Sequence, residues 1–210
     1  MTEFPNLTVI NHPLLQDKLS GIRNKHTHFA KFRRLLEAIS QGLFWEASRD
    51  LPLQPVMVET PLESMKGQQL AQSIALVPIL RAGLGMVNGI LQMVPQAHVG
   101  MLGMYRNEET LTPVDYYLRF PPGIEHMAVF LLDPMLATGG SAVSAVDKLK
   151  AAGATFIKLL VIIAAPEGVR TLLQVHPDVP IIAAALDRQL NEQGYILPGL
   201  GDAGDRYFGT

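Results

Sequence analysis

Apolar runs of strand length alternate with helical patterns after residue 73, and this alternation most restricts the folds open to the chain. Four runs are almost free of polar residues: Ile74 to Leu80, Met127 to Leu132, Phe156 to Ala165 and Pro180 to Leu186. Strands that are apolar on both faces are typical of a parallel sheet covered by helices on both sides. We therefore predict an α/β fold with a doubly wound, mainly parallel sheet.

The segments between these runs have helical spacing. Met86 to Val94, Ser141 to Ala152 and Val169 to Val175 are short helical patterns. An N-terminal helical part is centred on Thr27 to Ser48, where apolar residues recur every three or four positions. Its apolar face is predicted to lie in the core or at a subunit interface. Gly153 stands where a helix commonly ends on a glycine.

Three segments follow neither pattern. Leu51 to Leu62 contains three prolines and is interpreted as a short edge strand and a loop. Glu109 to Phe120 is too short and too alternating for a crossover helix, so it is interpreted as a projecting β-hairpin. Gly194 to Thr210 shows neither the helical nor the strand period.

Composition excludes several classes of protein. The 210 residues are 48% hydrophobic and 17% charged, which argues against disorder and suits one domain spanning residues 1–210. The absence of cysteine excludes disulfides, thiolate metal sites and cysteine nucleophiles. A net charge of −2 favours no polyanion partner, and Lys31 to Arg34 is interpreted as a solvated helix face. With no signal peptide or long apolar span, we expect a cytoplasmic protein and no membrane partner.

Polar or glycine-rich breaks follow the predicted strands. In an open parallel sheet, ligands bind beyond the carboxyl ends of the strands, so these breaks should form one rim. The rim would contain residues 81–83, 105–108, 133–141, 165–168 and 187–188.

The break "DPMLATGGS", from Asp133 to Ser141, is the most informative. Glycines let backbone N–H groups approach an anion, and the N-terminus of the next helix adds partial positive charge. On its own the segment fits either a phosphate cradle or a plain strand-to-helix turn with Ser141 as N-cap. Asp133 favours the cradle, because a carboxylate at the end of a buried strand needs partners such as sugar hydroxyls. Phosphate and hydroxyls together indicate a phosphorylated ribose.

Other nucleotide-binding motifs do not fit. The lysine of a P-loop is missing, and no G-x-G-x-x-G follows a strand. Arg81 follows the run Ile74 to Leu80, and Arg106 follows Val99 to Tyr105, which is also strand-like. Both could hold a diphosphate, since arginine binds phosphate oxygens in a bidentate manner. Their alternative role is ordinary ion pairing with Glu108, Glu109 or Asp187.

The motifs "VPILRAGLGM", "GMYRNEETL", "DPMLATGGS", "AAPEG" and "NEQGYILPGLGDAGDRYFGT" occur in one order and spacing. In this they resemble the uracil phosphoribosyltransferases, which have the type I phosphoribosyltransferase fold. The resemblance covers about Val77 to the C-terminus, and "HPLLQDKL" near the N-terminus is also similar. It implies transfer of 5-phosphoribose from 5-phospho-α-D-ribose 1-diphosphate (PRPP) to N1 of uracil, giving UMP and diphosphate in pyrimidine salvage.

The resemblance also implies roles for individual residues. Arg81, Asp133 and Asp202 are the expected catalytic residues. The expected PRPP-binding residues are Arg81, Arg106, Asp133, Pro134, Met135, Leu136, Ala137, Thr138, Gly139, Gly140, Ser141 and Asp202. Uracil is expected to contact Ile196, Gly201, Asp202 and Ala203, within a C-terminal uracil-binding segment at residues 190–210. The hairpin at residues 109–120 is the expected lid.

The resemblance further implies Mg²⁺ bound mainly through PRPP, with no residue assigned as a metal ligand, a homo-oligomer (a dimer or larger), and possible control by GTP. One feature departs from the wider type I pattern, because Pro134 stands where many members carry a second acidic residue. Two alternatives stay open: a PRPP-sensing protein of this fold that binds RNA, and a phosphoribosyltransferase for another nucleobase. Balanced charge argues against the first, and the tail argues for uracil.

Overall fold

The computed structural model describes residues 4–106 and 113–210, without the side chains of residues 105, 106 and 113–115. Thirteen strands occur in this part of the chain: β1 (Leu7–Val9), β2 (Leu53–Glu59), β3 (Ser64–Leu70), β4 (Ile74–Leu80), β5 (His98–Val99), β6 (Met101–Arg106), β7 (Pro113–Arg119), β8 (Ala128–Leu132), β9 (Met135–Leu136), β10 (Phe156–Ala164), β11 (Ile181–Leu186), β12 (Gln189–Leu190) and β13 (Ile196–Leu197). Six α-helices accompany them: α1 (Pro13–Arg23), α2 (Phe29–Ala47), α3 (Leu84–Met93), α4 (Gly140–Ala151), α5 (Pro166–Val175) and α6 (Ala203–Phe208).

The main sheet has nine strands, with the spatial order β1-β11-β10-β8-β4-β6-β7. Every neighbouring pair in this order is parallel except β6 and β7, which are antiparallel. The short strands β5 and β9 pair with β4 and β10 at the sides of this path. The predicted mainly parallel sheet is confirmed. Strand β1 is an addition, since three residues are too few to show a period.

Helices cover both faces of the sheet, so the predicted double winding is also confirmed. One core contains buried residues of α1, α2 and α3 together with Tyr207 of α6. The other contains buried residues of α4 and α5, including Val146, Leu149 and Leu172. Strand β8 contributes to both cores, because Phe130 faces the first and Leu131 faces the second.

Helix α2 resolves a question that the sequence left open. Its apolar residues Phe32, Leu36, Ile39 and Leu43 have no exposed surface. They pack in the core of the chain itself, so this face of α2 is not available as a subunit interface.

The segment interpreted as an edge strand and loop forms strand β2 and the turn after it, within a separate hairpin. Strand β2 pairs with β3 in antiparallel register from Leu53↔Leu70 to Glu59↔Ser64, outside the main sheet. Its large apolar side chains are unusually exposed: Leu53 59%, Met57 64%, Leu62 95% and Met65 48%. The predicted edge strand is confirmed, because β2 pairs on one side alone, and proline is tolerated there. Its partner β3 was not predicted.

The segment Glu109 to Phe120 lies partly outside the described residues. Its described part contains β7, which pairs with β6 in antiparallel register from Met101↔Arg119 to Arg106↔Pro113. The segment therefore supplies one strand of a hairpin, and β6 supplies the other. Among the described residues, no helix is both long and apolar enough to cross a membrane.

Candidate active site

The carboxyl ends of the central strands meet at one edge of the sheet. From β4 the chain passes through α3 to β6 on one side, whereas from β8 it passes through α4 to β10 on the other. The direction of winding therefore changes between β4 and β8, and ligands of doubly wound folds bind at this kind of point. Arg81 follows β4 and Asp133 follows β8, so the two residues flank the crevice as predicted.

A cavity of about 220 Å³ lies at this edge. Its walls come from the residues after β4 and β8 and from the C-terminal tail, which comprises residues 190–210. They are formed by Ala82, Asp133, Met135, Ala137, Gly194, Tyr195, Ile196, Gly201, Asp202, Ala203 and Gly204. All four residues expected to contact uracil are among them, together with the carboxylate expected to hold ribose. The structure thus brings together two parts of the chain that are about sixty residues apart in sequence.

The loop after β8 divides its residues between the sheet and the cavity. Met135 and Ala137 line the cavity, whereas Pro134 and Leu136 are buried. The carbonyl of Pro134 accepts hydrogen bonds from the N–H groups of Ile162 and Ile163, each at 3.1 Å, and β9 pairs with β10. Alternation along β9 explains the division.

Residues 138–141 lie beyond this cavity, at the start of α4. Gly139 is the N-cap, has φ +88°, and no side chain caps the helix. The alternative that Ser141 is the N-cap was wrong, since Ser141 lies within the first turn. A side chain at Gly139 would bring Cβ to 2.8 Å from the carbonyl oxygen of Gly168. Thr138 is exposed, and the uncapped first turn of α4 can present backbone N–H groups to an anion.

The Asp133 carboxyl is held in an environment that disfavours its charge. Burial raises its pKa to about 7, and the hydrogen bond from the Met135 N–H to Oδ1 at 3.2 Å opposes this rise only partly. Among the side chains that the structure describes, no cation opposes this rise of the Asp133 pKa. Within this part of the chain, the Met135 N–H is the partner that the Asp133 carboxyl has.

Arg81 makes an ion pair, but not with the residues considered from sequence. Its guanidinium lies 3.2 Å from Asp205 Oδ1, and both side chains are more than half exposed. Such a pair contributes little to stability, so a ligand can compete for Arg81. Asp187 instead binds Arg23, and Glu108 and Glu109 lie outside the described residues. For Arg106 the structure describes only the backbone, at the end of β6.

The tail that lacked any period is ordered by several short elements. Strands β12 and β13 form a small hairpin, a cis peptide joins Leu197 to Pro198, and α6 follows. Asp202 is the N-cap of α6, because its Oδ1 accepts a hydrogen bond from the Asp205 N–H at 2.8 Å. This structural role was missed from sequence, although aspartate before a helix is a usual N-cap.

Sequence reasoning also missed some of the cavity wall. Ala82, Gly194 and Gly204 are next to predicted residues or motifs, but small side chains give no chemical signal. Gly168 of the "AAPEG" motif lies behind the wall, where a Cβ would come within 2.5 Å of the carbonyl oxygen of Ala137. Close backbone packing is therefore the reason for glycine in that motif.

A larger cavity, of about 480 Å³, lies away from this edge, between α1 and α2. Its walls are mainly apolar and include Leu14, Leu15, Trp45 and Met93. It contains no aspartate and none of the strand ends at which the sheet changes direction. The smaller cavity is the better candidate for an active site. Its walls contain two carboxylates, and their glycine and alanine residues leave backbone groups within reach of a ligand.

Replacing Asp133 by Asn should stabilise the ligand-free protein in a pH-dependent manner. A carboxyl with a pKa near 7 when folded and about 4 when unfolded binds a proton on folding, so wild type loses stability as pH rises through this window. Urea unfolding should show the advantage of Asp133→Asn growing by on the order of 2 kcal/mol from about pH 5 to about pH 8.

Asp178→Asn is the control for that measurement. A hydrogen bond from Lys150 holds the pKa of Asp178 below its usual value, so this variant should not gain stability as pH rises. An advantage of Asp133→Asn that does not change with pH would contradict the proposed environment of Asp133.

Comparison with known proteins gives a consistent result. The sequence model of the uracil phosphoribosyltransferase family matches residues 9–210. The uracil phosphoribosyltransferase of Streptococcus pneumoniae is 55% identical over 205 residues, which cover 97% of this chain and 98% of the relative. The structure of the AQ2163 protein from Aquifex aeolicus superposes with a TM-score of 0.92 at 39% identity, covering 96% of this chain and 97% of that one.

A more distant structure shows how general the fold is. Adenine phosphoribosyltransferase from Trypanosoma brucei, solved with AMP, pyrophosphate and ribose-5-phosphate, superposes with a TM-score of 0.61 at 13% identity over 96% of this chain and 90% of that one. At this identity the likeness concerns the fold alone. The predicted type I phosphoribosyltransferase fold and the predicted resemblance are both confirmed, and the chain belongs to the uracil phosphoribosyltransferase family.

Proposed function

We propose that the chain transfers 5-phosphoribose from PRPP to N1 of uracil, forming UMP and releasing diphosphate, as a pentosyltransferase of pyrimidine salvage. Family membership supports this reaction across nearly the whole chain. The observation that carries the proposal to specific residues is the shared cavity, whose walls include Asp133, Ile196 and Gly201 to Ala203. The ribose hydroxyls of PRPP and the uracil ring would both bind in this cavity.

The sugar phosphate would bind along the loop after β8. Asp133 would accept hydrogen bonds from the ribose hydroxyls, and the first turn of α4 would bind the 5-phosphate with its N–H groups and with Thr138 and Ser141. Pro134, Met135 and Leu136 would shape the path through their backbone. Because the pKa of Asp133 is about 7, the accepting carboxylate is more available above neutral pH.

The base would be recognised mainly by the backbone of the tail. Uracil offers two carbonyl groups and two N–H groups, and peptide groups around Ile196, Gly201 and Ala203 can pair with both kinds. Cytosine has an amino donor where uracil has the O4 acceptor, so a donor in the wall would be left unpaired with cytosine. This chemistry favours uracil over cytosine without a charged side chain.

Displacement at C1 of the ribose needs no covalent nucleophile. The bond from C1 to the diphosphate oxygen breaks with oxocarbenium character, and its electron pair leaves with diphosphate. The bond from C1 to N1 of uracil forms, and the N1 proton passes to a base, for which Asp202 is the candidate in the cavity wall. Arg81, and Arg106 from the end of β6, would neutralise charge that develops on the leaving diphosphate. Binding of the diphosphate by Arg81 would replace its weak pair with Asp205.

Mg²⁺ would accompany PRPP. The cavity wall contains two carboxylates, Asp133 and Asp202, and carboxylate oxygens are ligands that Mg²⁺ accepts. No group of three or more His, Asp or Glu side chains in the described part of the chain could hold an ion. The ion would be held mainly by PRPP oxygens and water, and it would supply positive charge to the diphosphate.

The oligomeric state, a lid, the location in the cell and an effector are also part of the proposed function. A homo-oligomer, a dimer or larger, is supported by the exposed apolar side chains of the β2–β3 hairpin, such as Met57 and Leu62. Residues 109–120 would close over the site as a lid. A cytoplasmic location and GTP as an effector are proposed from the resemblance alone.

The alternative of an RNA-binding regulator has little support in the structure. Arg33 of the basic segment donates to the Tyr207 carbonyl oxygen at 2.8 Å, and its guanidinium lies over the Phe29 and Tyr207 rings. It is therefore engaged within the chain. A phosphoribosyltransferase for another base is the closer alternative, and the next experiment separates it from the main proposal.

Incubation with PRPP and Mg²⁺ should give UMP with uracil and far less product with cytosine, adenine or orotate. The backbone pairing described above is the reason for this preference, and the measurement is nucleotide formation for each base under one set of conditions. Preferred turnover of another base would replace uracil in the proposal. A folded sample that forms no UMP would contradict it.

Asp202→Asn tests whether this carboxylate helps to remove the N1 proton. Asparagine caps helices about as well as aspartate, so the variant should keep α6 and lose only the charge. If Asp202 acts on N1, single-turnover formation of UMP should slow by about 10²-fold or more at saturating substrates.

Asp202→Ala is the matched control, because it loses the cap as well and should cost about 1 kcal/mol of stability. A change in substrate binding with an unchanged single-turnover rate in Asp202→Asn would show that Asp202 orients the base and does not take its proton.

A further inference from the structure

A buried ion pair connects the N-terminal helix α1 to the C-terminal tail. Arg23, the last residue of α1, binds both carboxylate oxygens of Asp187, which follows β11, at 2.6 and 2.8 Å. The two side chains are only 22% and 5% exposed. Arginine suits this position, because its planar fork matches a carboxylate in a bidentate manner.

The same pair holds both peptide groups of one tail residue, Gly199. Its N–H donates to Asp187 Oδ2 at 2.8 Å, and its carbonyl oxygen accepts from the Arg23 guanidinium at 2.8 Å. Gly199 has φ +62°, and a Cβ there would lie 2.2 Å from the carbonyl oxygen of Ile196. The chain therefore makes a tight turn at this point, and Arg23 and Asp187 hold it from outside.

Both flanks of the turn are walls of the candidate active site. Ile196 precedes Gly199 by three residues and Gly201 follows it by two, and both line the cavity. Neither Arg23 nor Asp187 lines this cavity. Displacement of Gly199 would change the separation of the walls that are proposed to contact uracil.

We propose that Arg23 is a positioning residue for the base-binding walls: through Asp187 and Gly199 it sets the separation of Ile196 from Gly201 to Ala203. The proposal rests on the uracil-binding role given to these residues in the proposed function. It assigns to α1, about 180 residues away in sequence, a part in the recognition of the base.

A second arginine keeps the tail attached when Arg23 is changed. Arg206 donates to the carbonyl oxygens of Ile22 at 2.7 Å and Leu200 at 2.6 Å, and also to that of Asn24 at 2.7 Å. These bonds hold the tail against the end of α1 without binding Gly199. Loss of the Arg23 contacts should therefore displace the turn while leaving the tail docked.

Arg23→Lys tests the role while keeping the positive charge. One ammonium group cannot reproduce the fork that binds Asp187 and the Gly199 carbonyl together. Steady-state kinetics should show the KM for uracil raised about tenfold or more, with the KM for PRPP within about twofold of wild type. Asp187→Asn, which loses the carboxylate charge, should show the same split and decides the question if Arg23→Lys does not fold.

Arg49→Lys is the matched control. Arg49 binds both carboxylate oxygens of Glu46 at 3.0 and 2.7 Å, but the pair is exposed and contacts no tail residue. This variant should leave both KM values unchanged. Amide hydrogen exchange of ligand-free protein gives a second readout, in which residues 196–203 should exchange faster in Arg23→Lys and not in Arg49→Lys.

Unchanged KM for uracil in Arg23→Lys and Asp187→Asn would overturn the proposal, as would an equal rise in KM for both substrates. If Arg23 only stabilised the fold, Arg23→Lys would have a lower thermal midpoint, but its KM for uracil would not rise relative to its KM for PRPP. Failure of the proposed function itself is recognised separately, because wild type would then form no UMP.

Discussion

The pairing of β8 between β4 and β10 is the constraint on which the rest of the site depends. All five residues of β8 are fully buried, and both neighbours are parallel to it. After a fully apolar strand, the chain can place a polar side chain only where it leaves the interior of the sheet and reaches solvent. Asp133 occupies that position, so the fold places a carboxyl group where burial raises its pKa and where a ligand can still reach it.

The other wall of the site is built by long-range contacts and not by regular structure. The tail contains only two-residue strands and one six-residue helix, which are too short to be stable alone. It keeps its shape because Arg206 binds carbonyl groups at the end of α1 and because Asp187 binds Gly199. The end of α1 thus supports the wall that the tail forms, while the residues after β4 and β8 form the other wall.

The sequence was sufficient to predict the strands and helices with strong periods, and Arg81 and Asp133 followed from their positions after β4 and β8. It was not sufficient for the tail, since α6 is too short to show a helical period and the N-cap role of Asp202 depends on that helix. Asp187 was expected at the rim because it follows β11, yet it is buried against Arg23, and a contact between residues 164 positions apart leaves no local signal. Strand β2 was expected as an edge strand, but its partner β3 was not predicted, because local alternation does not specify the partner of a strand.

We propose that one ligand spans the loop after β8 and the C-terminal tail. A crystal structure of the protein with UMP tests it most directly, because UMP contains both the 5-phosphate and the base. We expect phosphate at Gly139 to Ser141, ribose hydroxyls at Asp133, and the uracil ring between Ile196 and Gly201 to Ala203. Density for UMP at another site, or a base directed away from the tail with phosphate at α4, would contradict it.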